Sequence, residues 1–217
     1  EKVGETHQLD RYQEMVANLL LDPTVKDAFD VHSADPALQE RYGRNSFGWS
    51  LLLARQLVEA GVRLVQVNLG NNEAWDTHQA AFPNLRNYLL PPMDRAVSAL
   101  LDDLGERGLL ENPLVVMASE FGRTPRIFKI PKAKLPGRDH WGACYSSVMA
   151  GGGIRGGAIH GASDALAAYV KDLPVSVYDY QATILHAFGL KPEAAVPDNT
   201  GRPVRISDGL PLVELFG

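Results

Sequence analysis

The sequence predicts an α/β fold with a mainly parallel central sheet flanked by helices. Helical and strand-like stretches alternate along the 217 residues, and the strand-like stretches are nearly continuous apolar runs, typical of strands covered on both faces. Hydrophobic residues make up 45% of the chain, enough for one sizeable core. We therefore expect a single α/β domain over residues 1–217, with a helical N-terminal segment (1–44), an α/β core (45–190) and a C-terminal tail (191–217).

Helical patterns dominate the first 61 residues. THQLDRYQEMVANLLL predicts an amphipathic helix that ends at Asp22-Pro23, and PTVKDAFD and PALQERYG predict short helices. The apolar stripe of the first of these helices comprises Leu9, Tyr12, Val16, Leu19 and Leu20. NSFGWSLLLARQLVEAG is apolar nearly all round, so we expect a buried helix after an N-cap at Asn45, ending at Gly61.

The next segments predict the sheet. VRLVQVNL and NPLVVMAS look like strands, and the long helix between them is expected to be kinked or restarted at Pro91-Pro92 and to end at Gly108. A strand, helix and strand of this length predict a right-handed parallel βαβ unit over residues 62–118. CYSSVMAG predicts a third strand and AIHG a short one after the turn GGGIRGG, while SVYDYQATILHAFGL predicts the last helix.

Charge and composition exclude some classes of partner. The net charge is −5 and no Lys/Arg cluster is long enough to follow a phosphate backbone, so we expect no nucleic-acid partner. No apolar run reaches about 18 residues, so we expect no transmembrane segment. The single cysteine, Cys144, cannot form an internal disulfide.

Titratable side chains gather next to the predicted strands. They occur in WDTH, SEFGRTP and GRDHW: Asp76, His78, Glu120, Arg123, Arg138, Asp139 and His140. Because ligands bind at the carboxyl ends of parallel strands, we expect these loops to converge. Mixed imidazole and carboxylate ligands suit zinc, manganese or iron, so the sequence predicts a metal site.

Each motif alone also permits a plainer interpretation. Asp76 can cap a helix or form an Asx turn, with His78 bonded to it. Glu120 and Arg123 can form a surface ion pair, worth roughly 0 to 1 kcal/mol. No nucleophile is indicated, because the chain has no G-x-S-x-G motif and Cys144 lies within a predicted strand.

Several longer strings together resemble a known family. RYGRNSFGWSLLLARQLVEAGVRLVQV, WDTHQAAFPNL, LVVMASEFGRTPRI, GRDHW, MAGGGIRGGAIHGASD and GRPVRISDGLP occur in order along most of the chain. They resemble the C-terminal part of the bacterial family named domain of unknown function 1501, which is common in planctomycetes. That family resembles the alkaline phosphatase and sulfatase superfamily, so the resemblance implies an alkaline-phosphatase-like fold, apparently without its N-terminal part, and an exported or periplasmic location.

The resemblance also implies roles for the gathered residues. Asp76, His78, Glu120 and His140 match metal ligands, and the supporting or anion-binding positions are Arg123, Arg138 and Asp139. Zinc is the expected metal, with manganese, calcium and magnesium as alternatives.

The implied function is metal-dependent hydrolysis of sulfate or phosphate esters, on a small-molecule or polysaccharide substrate. The superfamily's nucleophile has no counterpart here, so we expect a C-terminal fragment or truncated product, inactive by itself. The alternative is a non-catalytic binding or scaffolding protein of the bacterial cell envelope.

Overall fold

The structure, a computed structural model, describes residues 13, 14, 16, 17 and 21–217. The α-helices are α1 (Pro23–Phe29), α2 (Pro36–Tyr42), α3 (Ser46–Glu59), α4 (Ala81–Asn84), α5 (Leu90–Glu106) and α6 (Val177–Ala187). The strands are β1 (Leu114–Met117), β2 (Gly122–Arg123), β3 (His140–Trp141), β4 (Val148–Gly151), β5 (Ala162–Ser163), β6 (Val170–Asp172), β7 (Ala195–Pro197) and β8 (Pro203–Arg205). A π-helical turn (Leu85–Leu89) precedes α5, and a 3₁₀ turn (Val213–Leu215) follows β8.

The predicted helices α1 to α3 are confirmed, and side-chain caps explain where they begin. The carboxylates of Asp22 and Asp35 accept backbone N–H groups of α1 and α2, each of which has proline in its first turn. The Asn45 side chain caps α3, as predicted. After α3, Gly61 has a φ of +87°, the left-handed conformation that glycine adopts without strain at a helix end.

The N-terminal helix prediction is only partly covered by the structure. The described positions between residues 13 and 21 are helical, and Val16 is exposed there. The other stripe residues lie outside the described residues: Leu9, Tyr12, Leu19 and Leu20.

The long helix is interrupted close to its proline pair. The Leu90 N–H donates to the carbonyl of Leu85, five residues back, which defines the π-helical turn before Pro91. Proline lacks the N–H that the hydrogen-bond ladder of a regular α-helix needs, so an irregularity near Pro91-Pro92 was expected. The α-helix restarts at Leu90, one residue before the predicted Pro91-Pro92. Gly108, the predicted end of the helix, lies just beyond the last residue of α5 and has a φ of +66°.

The chain forms two compact units, and the first is helical. It contains the described residues up to Trp75 together with Pro83–Leu104. Its core includes the fully buried Leu52 and a polar group that we call the buried cluster: Tyr42, Arg55 and Asp103. The Tyr42 hydroxyl donates to the Asp103 carboxylate at 2.9 Å, and Arg55 Nε lies 3.0 Å from the same carboxylate.

The predicted parallel sheet is wrong. Every named strand pairs with one neighbour in an antiparallel, two-stranded sheet: β1 with β4, β2 with β3, β5 with β6 and β7 with β8. The β1 strand exists where NPLVVMAS predicted it, but its partner β4 comes from CYSSVMAG. The alkaline-phosphatase-like fold with a parallel sheet is therefore not the fold observed here.

The βαβ prediction fails because residues 62–69 join no strand. Val65 and Val67 instead line a groove with Ala54 and Leu57 of α3, while Leu64 in the same run is 79% exposed. An apolar run indicates that part of a segment will be buried. It does not indicate whether the segment packs against a strand or a helix. AIHG is likewise not a strand; the short β5 follows it.

The second unit carries all the named strands. It contains Asp76–Phe82 and Gly105–Gly217, including the predicted helix α6. A capping box begins α6, with the Ser176 side chain accepting the Asp179 N–H while the Asp179 carboxylate accepts the Ser176 N–H. In the part of the chain that the structure describes, no helix is long and apolar enough to cross a membrane.

Candidate metal centre

Two loops of the second unit are joined by their backbones, and this brings WDTH against GRDHW. The N–H groups of Ala80 and Ala81 donate to the carbonyls of Leu135 and Pro136 at 3.4 and 3.2 Å. The Arg138 N–H donates to the Thr77 carbonyl at 3.2 Å. These bonds fix the side chains of both loops relative to each other.

Gly137 permits this close approach. A Cβ atom at this position would lie 2.1 Å from the carbonyl oxygen of His78 and 2.5 Å from that of Thr77. Any larger residue would therefore push the loops apart. The glycine in GRDHW thus has a structural role that the sequence did not reveal.

Three predicted ligands converge at this junction, and we call them the triad: Asp76, His78 and His140. The Nε2 atoms of His78 and His140 lie 3.0 and 2.9 Å from the same carboxylate oxygen, Asp76 Oδ1. The two Nε2 atoms lie 3.2 Å apart. The side chains are 34%, 31% and 48% exposed in sequence order, so the cluster is open to solvent on one side.

The triad geometry fits a divalent cation. A tetrahedral ion bound at about 2.0 to 2.2 Å would hold its donor atoms about 3.3 to 3.6 Å apart, so a small outward shift from the 2.9 to 3.2 Å found here would accommodate it. Without a metal, a proton on His140 Nε2 lets this atom donate to Asp76 Oδ1, whereas a bound cation would accept a lone pair from all three atoms. One carboxylate and two imidazoles suit zinc, and the same set serves non-haem iron.

Arg123 supports Asp76 from beside the triad. Its Nη1 donates to Asp76 Oδ1 at 2.8 Å, from strand β2. Hydrogen bonds from His140 and Arg123 lower the pKa of Asp76 to about 2. Asp76 is therefore an anion at neutral pH, as a metal ligand must be.

Asp139 contacts both imidazole-bearing segments. Its Oδ1 accepts the backbone N–H of His140 at 2.8 Å and lies 3.4 Å from His78 Nδ1, on the side of the ring away from Asp76. Arg138 contacts backbone carbonyls instead of the histidines. Its guanidinium donates to the carbonyls of Thr124 and Arg123 at 2.6 and 3.1 Å. Arg138 thereby ties GRDHW to the SEFGRTP loop.

Glu120 is not part of the triad. It lies in an exposed bend between β1 and β2, and the group of donor atoms found among the described residues does not include it. Its neighbour Phe121 lies against the site instead, with ring centroids of Phe121 and His140 4.3 Å apart. A metal-ligating role for Glu120 stays a prediction, while the aromatic contact was not foreseen because phenylalanine carries no ligand signal.

The family comparison covers nearly the whole chain. The family described as Protein of unknown function (DUF1501) matches residues 1–216. The chain belongs to this family. No curated protein and no solved structure matches the chain at a significant level. Membership of this family therefore assigns no activity to the chain.

Proposed function

We propose that Asp76, His78 and His140 bind a divalent metal ion, and that this site serves the hydrolysis of sulfate or phosphate esters. The observation that carries the proposal is the convergence of three donor atoms within 2.9 to 3.2 Å of one another. The motif resemblance to alkaline phosphatases and sulfatases supplies the reaction class. A bound divalent ion would polarise the ester oxygen and lower the pKa of a bound water.

A cationic side chain beside the triad supports the proposal of an anionic substrate. Arg123 places a guanidinium beside Asp76, on the solvent-open site, and is itself only partly buried. Arginine binds sulfate and phosphate oxygens in a planar, two-pronged geometry. Since the triad residues act as ligands, the attacking group is water or a residue outside the triad.

A second candidate is a metal-holding but non-catalytic binding protein of the cell envelope. Apolar side chains are exposed in the second unit, including Ile159 (94%), Leu166 (77%) and Leu173 (62%). Where such side chains form one contiguous patch, they mark a binding site for another protein. In this role the triad would stabilise the loops rather than activate an ester.

Two measurements test these candidates. Zinc and manganese affinity is measured by calorimetry, and turnover is measured on aryl phosphate and aryl sulfate, for wild type, His78→Ala and His140→Ala. We expect each variant to lose about 100-fold or more in metal affinity, beyond the 10- to 100-fold typical of residues that only support ligands. Turnover, where the wild type shows it, should fall in parallel.

His160→Ala is the matched control, because His160 pairs with Glu214 at 3.5 Å rather than with the triad. Unchanged metal affinity in both triad variants would refute the metal site. Intact metal binding without turnover would favour the non-catalytic candidate.

A further inference from the structure

We propose that residues 124–137, which connect β2 to β3, bind the anionic chain of a polymeric substrate that carries several sulfate or phosphate groups. We call these residues the cationic loop. The inference rests on the proposed ester hydrolysis and narrows its substrate to a polymer, for which the loop supplies a binding site outside the triad.

The cationic loop concentrates positive charge in an acidic protein. Residues 121–138 hold six of the 21 Lys and Arg residues of the chain and none of its 26 Asp and Glu residues, although the net charge is −5. Four of the six lie in the loop and are exposed: Arg126, Lys129, Lys132 and Lys134. No carboxylate among the described residues forms an ion pair with any of these four, so their charges are available to an anionic ligand.

The loop extends from the hairpin that carries one triad histidine. Arg123 of β2 pairs with His140 of β3 in the register of this hairpin. Further along, Phe128 and Gly137 exchange two backbone hydrogen bonds of 3.1 and 2.9 Å. The loop is therefore joined at both ends to the strands that hold His140 and the Arg123 contact to Asp76.

Tertiary contacts fix the loop beside the other triad segment. The N–H of Ala80, two residues after His78, donates to the carbonyl of Leu135, which directly follows Lys134. On the other side of Lys134, Ala133 is buried. The backbone on both sides of Lys134 is therefore anchored, and one anchor is the segment that carries His78.

The backbone conformation at Lys132 indicates that its charge matters. The Ala133 N–H donates to the Ile130 carbonyl at 3.1 Å, which closes a four-residue turn with Pro131 second and Lys132 third. Lys132 has a φ of +68°, the left-handed conformation that glycine adopts without strain. Glycine would fit this position better, so stability alone does not account for a lysine here.

A sulfated or phosphorylated polymer fits the loop better than a nucleic acid does. Proteins that bind single-stranded nucleic acids combine cationic groups with aromatic rings on which bases stack. Phe128 is the only aromatic residue of the loop, and it is half-buried. Repeated ester anions on a flexible chain need only spaced cations, which the loop supplies next to the strands of the site.

The test is binding of metal-free protein to fluorescein-labelled dextran sulfate and dextran phosphate, followed by anisotropy, with neutral dextran as the blank. For four cations that each neutralise one anion, log affinity should fall with log salt with a slope of about 3 between about 50 and 200 mM salt. Combining Arg126→Gln, Lys129→Gln and Lys134→Gln should weaken binding at least about 10-fold and reduce the slope to about 1.

A variant that loses the same charge elsewhere in the second unit is the control. It combines Lys171→Gln, Lys191→Gln and Arg205→Gln, all at exposed positions, and should keep the wild-type slope. Lys132→Gly is a further loop variant, which removes one cation and relieves the backbone. It should reduce the slope by about 1 without lowering the midpoint of urea unfolding.

The outcomes separate the loop from the metal site. If the control weakens binding as much as the loop variant does, or if wild type binds neither anionic dextran at about 50 mM salt, the loop proposal is wrong. Tighter loop-dependent binding of single-stranded DNA, or of vesicles of phosphatidylcholine and phosphatidylserine, would also overturn the polymeric substrate. Failure of the proposed function appears separately, as a wild type that binds no zinc; loop-dependent dextran binding by metal-free protein would then stand without the hydrolase.

Discussion

The two units each contain a compact charged cluster, and the two clusters differ in burial. In the buried cluster of the first unit, the Arg55 and Asp103 side chains are only 5% and 4% exposed. In the triad of the second unit, the side chains are about one third to one half exposed. Buried charges must be paired to persist, whereas half-exposed donor atoms that converge on one point remain available to a ligand.

The pKa shifts follow the same division. Burial, followed by the charge of Asp103, raises the pKa of the Tyr42 hydroxyl well above its ordinary range, which keeps that hydroxyl a hydrogen-bond donor. Asp76 is shifted in the opposite direction, chiefly by hydrogen bonds from His140 and Arg123. The first cluster is thus arranged for stability and the second for holding a charged carboxylate at the surface.

The largest expected effect is on the buried cluster. Asp103→Ala removes the acceptor of the Tyr42 hydroxyl and one of the two carboxylates that pair with the buried Arg55, leaving it only the more exposed Glu59. We expect a loss of about 3 to 5 kcal/mol in the free energy of unfolding, measured by urea denaturation. Zinc affinity of the folded fraction should be unchanged. A loss below about 1 kcal/mol would contradict the structural role of this cluster.

An intermediate effect is expected from placing a side chain between the two site loops. Gly137→Ala places a Cβ against the His78 carbonyl, so the loops must separate. Such overpacking typically costs about 1 to 3 kcal/mol, and we expect zinc affinity to fall with it. Gly156→Ala is the control, because a Cβ there meets nothing within 4 Å. Wild-type zinc affinity in Gly137→Ala would show that the loop contact does not position the triad.

The smallest effect is a pH dependence. The pKa of Asp76 is about 2 in the folded protein against an ordinary value of 3.8, so its contribution to stability is complete above about pH 4 and is lost as the pH falls towards 2. Metal-free wild type should therefore lose its stability advantage over Asp76→Asn across this interval. Unfolding monitored by circular dichroism gives the difference in free energy of unfolding between the two proteins. If this difference stays constant to within about 0.5 kcal/mol between pH 5 and pH 2, the lowered pKa of Asp76 is wrong.

The candidate site was predictable in three of its ligands, but the contacts around them were not predictable. Aspartate and histidine two residues apart in WDTH, with a further histidine in GRDHW, carry metal-ligand chemistry whatever fold holds them. The resemblance implied a supporting or anion-binding position for Arg123, but not that its partner would be Asp76. The aromatic contact of Phe121 depends on how the SEFGRTP loop turns, which spacing alone does not reveal.

The sequence by itself determined the local features: the caps and ends of α1, α2 and α3, the extent of α6, the position of β1, and the triad as candidate ligands. Helix ladders and caps connect residues a few positions apart, so the necessary information lies within a short window. Only the tertiary structure decided that the strands pair antiparallel and that Val65 and Val67 line a groove beside α3 instead of joining a sheet. Side-chain packing between segments that are distant in the chain determines which strands pair. The composition of an apolar run does not, because the same run can pack against more than one partner.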